Sequence, residues 1–272
     1  MHTQTHTDDS LSGLLDLTGQ VALVTGAGQG VGEAVARMLA AQGATVAVND
    51  YRAERADGVA ADIEAASGRA LGVQADVSDP ESVQAMADLV TRELGPVDIL
   101  VNNAGNAGAD QSALAPVPKF WESDPADWAP WIDVNFTGVL LATRSVVGGM
   151  VERGHGRVIT VISDAGRVGE ADLVVYSGAK AGAAGFMRGL AKSVAPHGVT
   201  ANCVALGAVR TPTIEPMLQN EAILKKVLRA YPLGRLGEPA DPAALITFLA
   251  SPAASWITGQ TYPVNGGYSV SA

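Results

Sequence analysis

Residues 25–32 read Thr-Gly-Ala-Gly-Gln-Gly-Val-Gly, and what flanks this run restricts the fold more than any other feature. Residues 20–24 before it are apolar and β-rich, the pattern of a short buried strand, and residues 33–41 after it have helical composition. The alternation continues. Further strands are expected at 44–48, 71–75, 97–101, 158–163, 199–204 and 260–264. Helices are expected at 53–67, 80–94, 131–151, 176–195, 215–228 and 241–249. Strand and helix in strict alternation imply parallel strands joined by helical crossovers. The expectation is an α/β fold: one doubly wound parallel sheet of seven strands with helices on both faces.

A chain of 272 residues with 47% hydrophobic content can bury a large core, so one domain over 17–272 is expected, with a mobile tail at 1–16. The formal charge of -10 and a pI near 4.8 argue against nucleic acid and anionic membrane surfaces, leaving small molecules as ligands. One cysteine, Cys203, excludes an intrachain disulfide framework and suits a reducing cytoplasm, and the 4 scattered histidines suggest no metal site. The N-terminal residues 1–13 do not read as a secretory signal, and the apolar stretch 139–150 is broken by Arg144 and Gly148-Gly149, so no membrane span is expected.

Three reactive side chains cluster around the fifth strand. The β-branched run at 158–162 ends at Ser163, and 13 residues later Tyr176 and Lys180 stand four apart, on one face of a helix. A phenol near pKa 10 is a poor acid or base at neutral pH, but an ammonium beside it favours the phenolate. Such a group can exchange a proton with an alcohol or carbonyl, while the serine hydroxyl bonds the same oxygen. Tyrosine and lysine at this spacing also occur on solvent faces of helices, and the pair alone does not decide between the two.

The glycines at 26, 30 and 32 allow a phosphate to approach backbone N–H groups at a helix N-terminus, where the helix dipole favours an anion. Asp50 closes the second strand 24 residues after Gly26, where an acidic residue meets the adenosine ribose in dinucleotide folds. A carboxylate there repels a 2′-phosphate, and Gln29 and Tyr51 are uncharged, so NAD is expected rather than NADP. Arg52 is the one nearby dissenter. Asp76-Val77 ends the third strand in a position suited to adenine, and Asn102-Asn103-Ala104-Gly105 closes the fourth with small residues that leave room for a cofactor. Residues 106–129 lack a period and carry Phe120, Trp121 and Trp128, which marks a functional loop. Segment 207–234 is a second candidate, as a flap over substrate. Asn135 lies inside the expected helix at 131–151, either satisfied in the core or part of a proton path. Gly182, Gly185 and Gly189 suggest close packing of the helix after Tyr176.

Taken in order, these residues resemble the short-chain dehydrogenase/reductase family over residues 17–268. The resemblance rests on Thr25-Gly-x-x-x-Gly-x-Gly32, Asp76-Val77, Asn102-Asn103-Ala104-Gly105, Asn135, Ser163, Tyr176-x-x-x-Lys180, Gly259-Gln260 and Asn265-Gly266-Gly267. It implies a Rossmann-like sheet order of 3-2-1-4-5-6-7, a nicotinamide cofactor and reversible hydride transfer. Tyr176 would be the acid/base, and Lys180 would lower its pKa and hold the nicotinamide ribose. Ser163 would polarise the substrate oxygen, and Asn135 would position a water that relays protons. The implied cofactor set is Gly26, Gln29, Gly30, Val31, Gly32, Asp50, Tyr51, Asp76, Val77, Asn103, Ala104, Gly105, Tyr176, Lys180, Gly207, Val209 and Thr211. The resemblance also implies a homotetramer, with a dimer as the alternative.

Three departures stand out. Leu206-Gly207 replaces the family's frequent Pro-Gly, the loop after Gly105 is longer than in many relatives, and Asp164 puts a charge directly after the serine. That charge either points away or meets a polar substrate group. The leading reading is an NAD-dependent dehydrogenase or ketoreductase on a secondary alcohol and its ketone. Phe120, Trp121, Trp128 and Trp131 favour a bulky apolar substrate of cyclic, steroid or aryl type. A 3-oxoacyl thioester on carrier protein or coenzyme A is the alternative, and Lys119 as the one basic residue near the loop disfavours a carrier protein. Outside this class stand a non-catalytic NAD-binding sensor and a structural subunit.

Overall fold

The computed structural model describes residues 10–105, 119–212, 214–215 and 219–270. Among them, β1 (Val21–Val24), β2 (Thr45–Asp50), β3 (Arg69–Gln74), β4 (Ile99–Asn102), β5 (Gly156–Ser163), β6 (Val199–Leu206) and β7 (Thr261–Val264) form one sheet in the order 3-2-1-4-5-6-7. Every neighbouring pair is parallel. The fold and strand order are as expected. The helices are α1 (Leu11–Leu14), α2 (Gly30–Ala41), α3 (Ala53–Ala65), α4 (Pro80–Glu93), α5 (Ala129–Ile132), α6 (Gly138–Arg153), α7 (Ala165–Val168), α8 (Val174–Val194), α9 (Glu221–Leu228) and α10 (Ala240–Ala250).

Side chains alternate between two cores, as the period of a strand requires. On one face Val24, Val46, Val48, Ile159 and Val161 pack with Val35 and Leu39 of α2, Ile63 of α3 and Ile246 and Leu249 of α10. On the other, Leu23, Ala47, Val158 and Ile162 pack with Met86 of α4, Val146 and Met150 of α6 and Met187 of α8. After β3 the chain returns past β1 to lay down β4, so strand order reverses between β1 and β4. Ligands of open parallel sheets bind at the carboxyl edge of such a switch point.

Several element bounds differ from the sequence expectation, each for a local reason. Helix α2 starts at Gly30 rather than 33, because Gly30 at φ +61° turns the chain directly out of the loop. Edge strand β3 begins at Arg69, where a polar residue pairs with Thr45. Glu215 is helical as expected, but the helix expected at 215–228 is broken by a turn at 219–220, and α9 starts afresh at Glu221, where the Asn220 carboxamide accepts the Ala222 N–H at 3.0 Å. The expected tail at 1–16 includes α1, capped by Ser10, while residues 1–9 lie outside the described residues. Residues 106–118 of the expected substrate loop also lie outside them; 120–122 and 125–128 form single 3₁₀ turns.

The largest difference is in the helix expected at 131–151. It is interrupted by a π turn at Asp133–Thr137 between α5 and α6. The whole Pro125–Arg153 run is long and apolar enough to cross a membrane. Its inner face instead lies in the second core through Val139, Ala142, Val146 and Met150.

Candidate active site

Strand β5 delivers Ser163 to the carboxyl edge of the sheet, where its Oγ accepts the Ala165 N–H at 3.1 Å. Helix α8 begins at Val174, two residues before the expected start, so Tyr176 and Lys180 fall on successive turns of one face. The Tyr176 and Ser163 hydroxyls are hydrogen-bonded to each other. Lys180 is 3% exposed; its Nζ donates to the Val161 carbonyl at 3.1 Å and lies 5.9 Å from the centroid of the Tyr176 ring. Burial sets the charges here. It raises the Tyr176 phenol above its usual value, opposed by the Ser163 bond, and lowers Lys180 to about 8. The sequence argument had Lys180 tuning the phenol; in this geometry burial and Ser163 are what act on it.

Asn135 sits in the π turn with no exposed surface, and its Nδ2 donates to the Trp131 carbonyl, one helical turn back, at 2.9 Å. A π turn shifts the backbone ladder by one residue, and the amide side chain takes up a carbonyl that the shift leaves for it. Gly105 brings the groups together: a Cβ there would stand 3.2 Å from Asn135 Oδ1 and 3.3 Å from Lys180 Nζ. Asn135 and Lys180, both buried, and Tyr176 and Ser163, both half-buried, therefore form one cluster.

The glycine loop forms a cradle at the β1–β4 crevice. The start of α2 has no side-chain cap from Gln29, so the N–H groups of Gly30, Val31 and Gly32 open the helix towards a ligand. A Cβ on Gly32 would overlap the Gly26 carbonyl and Asn103 Nδ2, so only glycine fits. Asn103 donates its Nδ2 to the Thr25 and Gly26 carbonyls at 3.0 and 2.9 Å, and Thr25 Oγ1 accepts the N–H groups of Asn103 and Ala104. Asp50 is 7% exposed and its two oxygens accept the N–H groups of Gly28 at 3.1 Å and Arg52 at 3.0 Å. Tyr51 follows it on the surface. Asp76 holds both the N–H and hydroxyl of Ser78, and Val77 packs on Gly138. Gly207 and Val209 follow β6, Val209 bridging to Gly237, and Thr211 reaches across to the cradle, 3.2 Å from where a Cβ on Gly30 would stand. The loop, helix start and acidic strand end fit a dinucleotide.

Beside Tyr176 a cleft is lined by Phe120, Trp128, Trp131, Leu173 and Val174 among the described residues. Phe120 stacks on Trp128 at 5.4 Å, and Trp131 meets the Tyr176 ring edge-on at 5.8 Å. At the mouth Lys119 and Asp172 pair at 2.7 Å, both largely exposed. Trp121, expected to line the cleft, is 78% exposed and does not line it. Asp164 points away from the cleft, into the protein. Of the α8 glycines only Gly182 meets a neighbouring element, Phe136; a Cβ on Gly189 would meet nothing within 4 Å.

Sequence reasoning passed over two contributors. Asn49, 1% exposed, ties the loop to β3 through bonds to Gly26 N and the Val73 and Ala75 carbonyls. Arg55 lays its Cβ against Gly28, beside the Asp50 carboxylate. Neither stands in a motif, and only strand pairing brings them to the site.

Comparison with known proteins places these features in context. A family model described as enoyl-(acyl carrier protein) reductase matches residues 26–269. The chain is 42% identical over 253 residues to a 3-oxoacyl-[acyl-carrier-protein] reductase of Synechocystis, covering 92% of this chain and 97% of that protein. A short-chain type dehydrogenase/reductase from Mycobacterium marinum superposes with a TM-score of 0.87 at 34% identity, over 96% of this chain and 100% of the other. A 7α-hydroxysteroid dehydrogenase complexed with NADH and 7-oxo glycochenodeoxycholic acid superposes with a TM-score of 0.86, also at 34% identity, over 93% and 96%.

Proposed function

The chain belongs to the short-chain dehydrogenase/reductase family, oxidoreductases that use nicotinamide cofactors, and from that premise we propose that it interconverts a bulky apolar secondary alcohol and its ketone with NAD(H). The substrate is cyclic, steroid or aryl in type. The observation that carries this reading is the aromatic cleft opening directly on Tyr176. Four or five aromatic and aliphatic walls bind a ring by area and shape, and the Ser163 and Tyr176 hydroxyls at its inner end fix the orientation of one oxygen.

When bound, the nicotinamide supplies or accepts the hydride. The residues handle the oxygen and its proton. Ser163 has its Oγ held by the Ala165 N–H and hydrogen-bonds the carbonyl oxygen of the substrate. Tyr176 gives that oxygen a proton in reduction and takes it back in oxidation. Lys180, with a pKa near 8, keeps its ammonium at neutral pH, 5.9 Å from the centroid of the Tyr176 ring. The Asn135 carboxamide oxygen, beside Lys180 Nζ at Gly105, holds a water that relays the proton between Lys180 and solvent. Asp50 supports NAD over NADP, because a buried carboxylate pinned by two backbone N–H groups cannot swing away from a 2′-phosphate. The Arg55 side chain beside it is the feature that opposes this choice.

The similarity to the 3-oxoacyl-[acyl-carrier-protein] reductase supports a second reading, reduction of a 3-oxoacyl thioester. At the cleft mouth the exposed Lys119 is already paired with Asp172, and Lys226 acts on the same carboxylate, so the charge there open to an acidic carrier is that of Lys226. Titration with NADH and NADPH, followed by a panel of cyclic ketones, aryl ketones and acetoacetyl thioesters, separates the two. Turnover of ring ketones with NADH is expected. Exclusive turnover of the thioester, or preference for NADPH, contradicts the proposal. A homotetramer completes the reading, and light scattering tests it.

A further inference from the structure

Directly after Ser163 the chain buries a carboxylate that the reaction does not use. Asp164 is 2% exposed, and both of its oxygens are taken. Oδ1 accepts from Arg167 Nη1 at 2.6 Å, and Oδ2 accepts from Asn265 Nδ2 at 2.6 Å. The two donors are themselves joined to the C-terminal segment. Arg167 Nη1 also donates to Ser269 Oγ at 2.9 Å, and Asn265 Nδ2 to the Ser269 carbonyl at 2.9 Å and Oγ at 3.1 Å. The backbone closes the unit. The Asp164 N–H donates to the Leu206 carbonyl at 2.9 Å, and the Asp164 carbonyl accepts the N–H groups of Arg167 and Val168 at 2.8 Å, winding the single turn of α7.

That turn is what reaches Ser163. Its first residue, Ala165, gives its N–H to the Ser163 Oγ, and the hydroxyl so held meets Tyr176. A second tie runs beside the first: Tyr268 donates to Glu170 Oε2 at 3.2 Å, and the Glu170 N–H donates to Ser177 Oγ at 3.1 Å, next to Tyr176. The segment between the serine and the tyrosine is thus fastened at both ends to residues 265–269.

We propose that Asp164 is a positioning residue through which the C-terminal segment 265–269 fixes the Ser163 hydroxyl against Tyr176. The chemistry of the residue fits the task. An apolar side chain would fill the space without the desolvation cost of an ion, so stability does not call for a buried carboxylate. What a carboxylate adds is direction: two acceptor oxygens that set one helical turn relative to two separate strand ends. Transferring a proton through a serine and a tyrosine needs the donor groups placed to within about half an ångström. The proposal rests on the assignment of Ser163 and Tyr176 as the reacting pair.

A donor–acceptor exchange in the full-length holoenzyme tests it. In Asp164→Asn the new amide can present its oxygen to Arg167 or to Asn265, and in either orientation its NH₂ opposes the other donor. In Asn265→Asp two carboxylates face each other. In the double variant the asparagine oxygen meets Arg167 and its NH₂ meets the aspartate, so the contact between positions 164 and 265 is restored with donor and acceptor exchanged, and only the bond from position 265 to the Ser269 carbonyl stays lost. Each single variant is expected to lower kcat for ketone reduction about 10- to 100-fold, with KM and NADH affinity within about threefold of the parent. The double variant is expected to recover at least about tenfold of the loss. A gentler change, Ser269→Ala, removes one contact from each donor and carries the same kcat-only signature if the single variants do not fold. Single variants with unchanged kcat, a loss shared equally by NADH affinity, or a double variant no better than the worse single one overturn the proposal. A crystal structure of the Asp164→Asn holoenzyme decides independently of substrate: Ser163 Oγ is expected to leave Ala165 N, and an unchanged contact contradicts the proposal even where the ketone panel fails for the parent.

Discussion

Replacing Lys180 by methionine should stabilise the protein at neutral pH while abolishing its activity. Lys180 is 3% exposed, and burial lowers its pKa to about 8 from 10.5. Between those values the unfolded chain binds more protons than the folded one, so stability rises with pH across that window. Below pH 8 the folded state carries the full cost of an ammonium in the core. A proton held that much more weakly corresponds to roughly 3 kcal/mol. Methionine has a similar length and removes that cost, but it forfeits the bond to the Val161 carbonyl, worth about 1 kcal/mol. Lys180→Met is therefore expected to be more stable than the parent by about 2 kcal/mol at pH 7. Near pH 10.5, where the parent lysine is neutral in the fold, it should be level or slightly less stable. Urea unfolding at the two pH values measures the difference. A variant destabilised by the same amount at both would refute the reasoning, because packing and not the buried charge would then govern the site.

Other consequences are equally open to measurement. Ser163→Ala removes the bond that lowers the Tyr176 phenol, so the fall in ketone reduction at high pH should move to still higher pH, along with a loss of rate; an unshifted limb would separate Ser163 from Tyr176. Gly32→Ala forces a methyl onto the Gly26 carbonyl and Asn103 Nδ2, and should cost about 1–3 kcal/mol by thermal melt and weaken NADH binding at least about tenfold. Lys119→Ala breaks an exposed pair, so stability should stay within about 1 kcal/mol while KM for a bulky ketone changes; the reverse pattern would place the pair in the fold rather than at the cleft.

The inner strands of the sheet were legible because they are buried on both faces and read as apolar, largely β-branched runs, whereas the edge strands β3 and β7 are half-exposed. The positions of Ser163, Tyr176 and Lys180 followed from a strand end and a helical spacing, both local properties. The π turn around Asn135 was not legible, since a one-residue shift in the hydrogen-bond ladder leaves the apolar pattern of 131–151 intact. Asp164 stood out as an anomaly, but its partner Asn265, and the Ser269 that joins Asn265 to Arg167, lie about a hundred residues away and reach it only after β6 and β7 pair. Arg55 is of the same kind: its place beside Asp50 depends on how α3 leaves β2. The α8 glycines were legible only in part, because a glycine that packs within the chain, as Gly182 does on Phe136, and one on an outward face look alike in sequence.

The account turns on Tyr176 as the group that moves the substrate proton, and one comparison tests it most directly: parent and Tyr176→Phe, each titrated with NADH by fluorescence and then assayed on the same ring ketone. Equal NADH affinity with turnover lowered by about 10²- to 10⁴-fold is the predicted result. Turnover by Tyr176→Phe at the rate of the parent would contradict the assignment and with it the proposed chemistry of the site.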